Sequence, residues 1–212
     1  MRTDDLICMM AKNPPCSCAK RAAIIWGSVA VLFALLVAAV FFTLGVRTGI
    51  QNVFDDPAML FKYSFLAAAL VGSGIGWWRS GHPGRCCKLP FYGMIGLGTF
   101  LVFDAGYALY TQGPANVAPQ VFDGSAGMCV ISIAVFAAIA AAVLVLVSKC
   151  MAPVNACLHA CMTAIFASSL GALAYGLHCS HDHPAYLALW YGGTALAFTL
   201  IALPIIRKRQ SW

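Results

Sequence analysis

The sequence contains no glutamate, and all seven of its acidic residues are aspartates. Charged residues of both signs together make up only 9% of the 212 residues. This leaves little material for the paired carboxylates of general acid–base catalysis. The sequence also lacks a Cys-x-x-Cys motif, which a membrane thiol oxidoreductase would be expected to carry. We therefore expect a protein that is not an enzyme.

Hydrophobic residues, in contrast, make up 61% of the chain, and its mean hydropathy is +0.83. Such a composition is typical of an integral membrane protein. Six apolar runs are each long enough to cross a hydrocarbon core of roughly 30 Å as a helix. The runs cover residues 22–44, 58–78, 90–110, 126–147, 157–177 and 186–206. We predict an all-α polytopic membrane protein whose six transmembrane helices form one bundle with short loops.

The basic residues predict the orientation of this bundle. Six spans place both termini on one side of the membrane, and that side collects nearly all the lysines and arginines outside the spans. These are Arg2, Lys12, Lys20, Arg21, Arg79, Arg85, Lys88, Lys149, Arg207, Lys208 and Arg209. The loops of the opposite side hold only Arg47. By the positive-inside rule both termini are cytoplasmic, and this clustering disfavours direct binding of nucleic acid.

Two short segments flank the spans. Thr3-Asp4-Asp5 resembles a helix cap with acidic residues in the first turn, and apolar residues follow it at helical spacing. Residues 1–21 are therefore expected to form a cytoplasmic segment that contains a short amphipathic helix. Residues 22–206 form the transmembrane domain, and residues 207–212 form a basic cytoplasmic tail.

Of the ten cysteines, only Cys129 and Cys179 lie at the outer side in this topology. The first falls near the outward end of span four, and the second lies just beyond the outward end of span five. Neighbouring antiparallel helices bring such positions to similar depth. The two thiols are therefore candidates for a disulfide or a shared soft metal ion, with two unrelated buried side chains as the alternative.

The turn after span five adds further potential ligands. His178, His181 and His183 supply nitrogen, and Asp182 supplies oxygen, next to Cys179. Such a set suits zinc, copper or cadmium better than catalysis, because no separate nucleophile and oxyanion arrangement accompanies it. A plain turn that caps span six explains the same residues equally well.

Two charged residues lie within the predicted spans at similar depth, Lys62 in span two and Asp104 in span three. An ion pair between them would lower the cost of burying either charge. The alternative is that Lys62 extends outward to water and Asp104 bonds to a neighbouring side chain.

Cysteines on the inner side have less specific interpretations. Cys86 and Cys87 lie between basic residues, and Cys16 and Cys18 precede span one. Metal transfer between these thiols is one reading, whereas lipid attachment or no role at all are the more ordinary ones.

The last third of the chain resembles the NrsF-type anti-sigma factors, six-span bacterial proteins that restrain extracytoplasmic-function sigma factors. The resemblance rests on Leu177-His178-Cys179, Asp182, Pro184 and Trp190-Tyr191, preceded by Gly171-Ala172-Leu173-Ala174-Tyr175. Thr3-Asp4-Asp5-Leu6-Ile7, Cys129 and the six-span length match as well. The histidines at 181 and 183 and the Cys86-Cys87 pair depart from the pattern.

This resemblance implies a function, a partner and two sets of residues. The protein would hold an extracytoplasmic-function sigma factor at the bacterial inner membrane and release it under heavy-metal or oxidative stress. Cys129 and Cys179 would sense the stress, with cadmium, copper or zinc as a transient ligand and no resident cofactor. The sigma factor would bind at the segment formed by Asp4, Asp5, Leu6 and Ile7.

A small heavy-metal transporter is the competing interpretation, with cysteine and histidine ligands along its path. Cys179 on the outer side and Cys86-Cys87 on the inner side support it, but the middle of the bundle offers few ligands.

Overall fold

The computed structural model describes residues 18–83, 88–149 and 151–210. Within these ranges the chain has no β-strand, and six helices are long and apolar enough to cross a membrane. In chain order the helices are α1 (Cys18–Thr43), α2 (Pro57–Ser80), α3 (Lys88–Gln112), the short α4 (Pro114–Val121), α5 (Ala126–Ser148), α6 (Ala156–Gly176) and α7 (Pro184–Gln210). The predicted fold class, an all-α multi-pass membrane protein with six spans, is confirmed.

The six long helices begin and end within about one turn of the predicted spans. The largest differences are at α1, which begins at Cys18 before the predicted start at residue 22, and at α7, which continues as helix to Gln210, so that the first part of the predicted tail 207–212 is helical. The sequence analysis also missed α4, which occupies the loop between α3 and α5. The predicted amphipathic helix near the N-terminus lies outside the described residues.

Local sequence explains where several helices start. The carboxylate of Asp56 accepts hydrogen bonds from the backbone amides of Ala58 and Met59, with Pro57 in the first turn of α2. Asn155 caps α6 in the same way through the amide of Leu158. Proline suits the first turn because its missing N–H has no partner there in any helix.

Helix α6 is the centre of the bundle. Of its most apolar stretch, 61% of the residues are buried, against 17–33% for the other five long helices. It packs against α5, α2, α7 and α1. The other helices expose one broad side, as expected where lipid is the solvent.

The backbones of helices α6 and α5 approach each other closely at Gly171. A Cβ atom on Gly171 would lie 2.9 Å from the backbone nitrogen of Ala137 and 3.0 Å from the backbone oxygen of Ile133. Only a residue without a side chain fits this contact, because backbone atoms cannot move aside as a flexible side chain can.

Helix α7 is not regular. Its segment Leu187–Gly192 is π-helical, between the first turn Pro184–Tyr186 and the regular part Gly193–Gln210. Trp190, within this segment, donates a hydrogen bond from Nε1 to the backbone oxygen of Val121 at 2.8 Å, which ties α7 to the end of α4. Short π segments inside α-helices are frequent at functional sites.

The up-and-down topology gives the bundle two distinct ends. The end that holds Cys129, Cys179 and the turn between α6 and α7 is called the thiol end. The opposite end, where α2, α5 and α7 finish and α3 and α6 begin, is called the basic end. Basic residues at this end include Arg79, Lys88, Lys149, Arg207, Lys208 and Arg209.

The Gly171 contact leads to a first prediction. Gly171→Ala should lower the thermal stability of the detergent-solubilised protein by about 1–3 kcal/mol, the usual cost of forcing atoms into a packed core. Intrinsic tryptophan fluorescence on heating measures the change. Gly96→Ala on α3 is the matched control, because nothing lies within 4 Å of its added Cβ. Equal stability of the two variants would contradict the packing.

A candidate thiol site at one end of the bundle

Cys129 and Cys179 meet at the thiol end. Cys129 lies in the first turns of α5, and Cys179 lies in the turn between α6 and α7. Both are free thiols, with exposed fractions of 0% and 4%, and both belong to one apolar cluster with Leu66 and Ile133. The thiol of Cys129 lies within hydrogen-bonding reach of the Cys179 sulfur. Their assignment as sensing residues remains a prediction.

Three tyrosines complete the walls of this cluster, Tyr175, Tyr186 and Tyr191. The hydroxyl of Tyr191 is buried without a hydrogen-bond partner among the described residues, and it lies near Cys179. The hydroxyl of Tyr186 lies beside Cys129 and 3.2 Å from the hydroxyl oxygen of Ser125. The two sulfurs therefore lie in a buried environment that is largely aromatic.

Lys62 of α2 points into the same site and is 0% exposed. Its ammonium donates to the backbone oxygens of Cys179 at 2.6 Å and His181 at 3.0 Å, and it forms an ion pair with Asp182 at 3.2 Å. The predicted ion pair between Lys62 and Asp104 is therefore wrong. The two residues do have similar depth, but Asp104 lies near His183 on another side of the bundle.

Asp182 has a second cationic partner, Arg47, in the loop after α1. One guanidinium nitrogen of Arg47 lies 2.9 and 2.7 Å from the two carboxylate oxygens of Asp182. The backbone nitrogen of Arg47 also donates to the backbone oxygen of Leu177 at 3.0 Å. Burial opposes the charge of Arg47, but the hydrogen bond and charge of Asp182 outweigh it and raise the pKa of the guanidinium.

The environment of Cys179 favours the thiolate. The hydrogen bond from the Cys129 thiol lowers the pKa of Cys179 below that of an ordinary thiol. Burial opposes this effect, whereas the charge of Lys62 and the hydroxyl of Tyr191 add to it.

The predicted metal site at His178, His181, Asp182 and His183 is not formed. His178 bonds through Nδ1 to the backbone oxygen of Gly45 at 2.9 Å, and Nε2 of His183 lies 3.3 Å from the side-chain oxygen of Gln112. In the ranges that the structure describes, no three metal-ligating side chains converge. The four side chains leave the turn in different directions because each one meets a different helix or loop.

His181 instead joins the turn to the start of α5. Its Nε2 lies 2.7 Å from a carboxylate oxygen of Asp123 and 3.1 Å from the hydroxyl oxygen of Ser125, and its ring stacks on that of Tyr186. The hydrogen bond from the hydroxyl of Ser125 to the carboxylate lowers the pKa of Asp123. His183 caps α7, since its Nδ1 accepts from the amide of Ala185, and burial lowers its pKa.

A protein-family model described as "negative regulator of sigma F", NrsF, matches residues 10–212. The chain belongs to the NrsF family. No curated protein and no solved structure matches it. The resemblance seen in the sequence is thus confirmed over nearly the whole chain, and with it a role as negative regulator of a sigma factor.

The basic end of this NrsF protein contains a second buried polar cluster. His159 of α6 is fully buried, with Nδ1 2.8 Å from the hydroxyl of Ser80 and Nε2 3.2 Å from that of Ser148. The indole of Trp77 donates to Ser148 at 3.3 Å and stacks on His159. This cluster joins α2, α5 and α6. The only indication of it in the sequence is a histidine in one span together with serines on two other spans.

Several predicted residues lie outside the described ranges. These are Asp4, Asp5, Leu6 and Ile7 of the expected sigma-binding segment, and the cysteines Cys16, Cys86 and Cys87. For Cys18 only the backbone, at the start of α1, is described. On α6, Cys157 is exposed and Cys161 is half-buried.

The thiol pair leads to a second prediction. Mild oxidation of the purified NrsF protein with diamide should join Cys129 to Cys179 within one chain, because both side chains pack in one buried cluster and a disulfide needs close Cβ atoms. Peptide mass spectrometry identifies the bond. Cys157→Ser should leave its yield unchanged, since Cys157 lies on the other half of α6. If Cys129 pairs mainly with a different cysteine, the described geometry is wrong.

Proposed function

We propose that the protein holds an extracytoplasmic-function sigma factor at the bacterial inner membrane and releases it when a soft metal ion or an oxidant reaches Cys129 and Cys179. One observation carries this proposal. In a chain from a family of negative regulators of sigma factor, two free thiols meet in a buried apolar cluster at the thiol end, opposite the basic end. Paired thiols can respond both to soft metal ions and to oxidants.

The orientation of the bundle is part of this proposal. The basic end faces the cytoplasm, in accordance with the positive-inside rule, and there it meets the sigma factor. The thiol end faces the periplasm, where thiols meet oxidants and external metal ions first. The N-terminal segment with Asp4, Asp5, Leu6 and Ile7 then lies on the same side as the sigma factor and contacts it.

Helix α6 is the proposed connection between the two ends. It leads directly into the turn of Cys179 at one end and carries His159 at the other. A bond between Cys129 and Cys179 constrains the start of α5 against this turn. The α5–α6 contact at Gly171 lies between the two clusters and is a backbone contact, so a displacement of α5 is passed on rather than absorbed by side chains.

A third prediction tests the release. When the tagged protein is gently solubilised from bacterial membranes, a sigma factor should co-purify with it and dissociate on addition of cadmium or diamide. Cys129→Ser with Cys179→Ser should retain the sigma factor under both treatments, because the responding thiols are gone. Cys157→Ser is the control and should release it normally.

The same variants separate regulation from transport. Regulation predicts changed transcription of the sigma factor's target genes with unchanged cellular metal uptake. A double cysteine variant that still releases the sigma factor on metal addition would sink the assignment of the sensing pair. A chain that binds no sigma factor but alters metal uptake would favour the transporter.

A further inference from the structure

We propose that the groove between α5 and α7 at the basic end binds one anionic phospholipid, with the lipid phosphate at Lys149 and Arg209 and an acyl chain along the groove. The inference does not depend on the sensing role of Cys129 and Cys179, which lie at the opposite end of the bundle. It gives the basic end a ligand of its own.

Two helices that run in the same direction form this groove. Helices α5 and α7 both pack against α6, contact each other, and finish at the basic end. Between them lies a groove of about 560 Å³, lined by residues of both helices and by Lys149. Ligand clefts in proteins commonly have volumes of roughly 300–1,000 Å³. The groove is therefore large enough to hold part of a lipid.

Small side chains form the deep part of the groove. Ala141 of α5 and Ala202 of α7 line it and are buried. Larger apolar residues that line it are exposed: Leu146, Ile201 and Ile205. Since these residues belong to membrane-spanning helices, their exposed surfaces meet lipid rather than water.

The length of the groove matches one leaflet of a membrane. Its lining extends from Ala138 to Lys149 on one side and from Phe198 to Arg209 on the other. Each stretch rises roughly 16 Å as a helix, at about 1.5 Å per residue. Half of a hydrocarbon core of roughly 30 Å is about 15 Å. The groove thus extends from the membrane surface to near the midplane, as an acyl chain of one leaflet does.

Two cations border the groove where it reaches the basic end. Lys149 and Arg209 are exposed and lie on opposite sides of it. In residues 18–83, 88–149 and 151–210, neither has a carboxylate partner, because every aspartate lies at the thiol end or in the half of α3 next to it. A phosphate oxygen is a strong acceptor for both kinds of side chain. Basic residues between transmembrane helices are a recurrent feature of headgroup sites for anionic lipids.

The apolar groove and its charged mouth together favour a lipid over other occupants. An acidic soluble protein would meet Lys149 and Arg209 but would not enter the membrane to fill the groove. A helix from a second copy of this chain would fill the groove, but in the ranges described its spans bring no carboxylate to the basic end. An anionic phospholipid supplies both the negative charge and the apolar chain.

Native mass spectrometry of the delipidated protein in detergent tests this binding. Titration with phosphatidylglycerol should show a first bound lipid with an affinity at least tenfold higher than that of phosphatidylcholine with the same acyl chains. Glycerol 3-phosphate, which has the charge but no acyl chain, should not bind at these concentrations. Equal affinity for the two lipids, or equally tight binding of glycerol 3-phosphate, would overturn the proposal.

Charge variants locate the site. Lys149→Gln combined with Arg209→Gln should weaken the binding of phosphatidylglycerol about tenfold, because both cations near the phosphate are lost. Lys88→Gln combined with Arg207→Gln is the matched control. It removes the same charge from exposed positions at the basic end that do not line the groove, and it should keep the affinity. An equal loss in the two double variants would mean general attraction to a basic surface and no defined site.

A bulky residue in the groove tests the position of the acyl chain. Ala142 is exposed and lines the groove, so Ala142→Phe should weaken the binding of phosphatidylglycerol. Ala197→Phe places the same ring at an exposed position of α7 outside the groove and should bind normally. Equal unfolding temperatures of the two variants, from tryptophan fluorescence, exclude misfolding as the cause. If Ala142→Phe instead separates a dimer and leaves lipid binding unchanged, the groove holds a second copy of the chain and the proposal fails.

Discussion

The thiol end depends on the burial of one ammonium group. Lys62 has no exposed surface, and such a cation is tolerated in a bundle only where oxygen atoms replace its hydration shell. The backbone of the turn at Cys179 and His181 supplies two of these oxygens, and Asp182 supplies the third. The turn is therefore held in the conformation that lets these oxygens bind the Lys62 ammonium. This conformation in turn fixes the position of the Cys179 sulfur.

The spans could be predicted from the sequence because apolar length is a local property of the chain. The meeting of Cys129 and Cys179 followed from similar reasoning, since depth along a helix can be counted from its ends. Rotation around the helix axis could not be obtained in this way. Lys62 and Asp104 have matching depth but lie toward different neighbours, and the partner of Lys62 came from a loop instead.

The histidines of the turn show that residues close together in the sequence of a loop need not share one partner in the structure. Their closeness in sequence suggested one ligand set, yet His178 bonds to the loop after α1, His181 to the start of α5, and His183 to α3 and α7. Each finds a separate partner because a polar group in a closed turn must bond to whatever backbone or side chain surrounds it. The turn is thereby attached to four parts of the bundle at once.

The π-helical segment of α7 explains why residues near both ends of this helix are buried, which neither depth along the helix nor hydropathy predicts. Leu187 and Ile206 are both buried, yet in an uninterrupted helix of 3.6 residues per turn their side chains would point about 100° apart. A π segment accommodates roughly one additional residue, which removes this difference. The π segment thus changes the rotation around the helix axis between the two halves of α7. It allows a single helix to bury Leu187 near its start and Ile206 near its end on the same face.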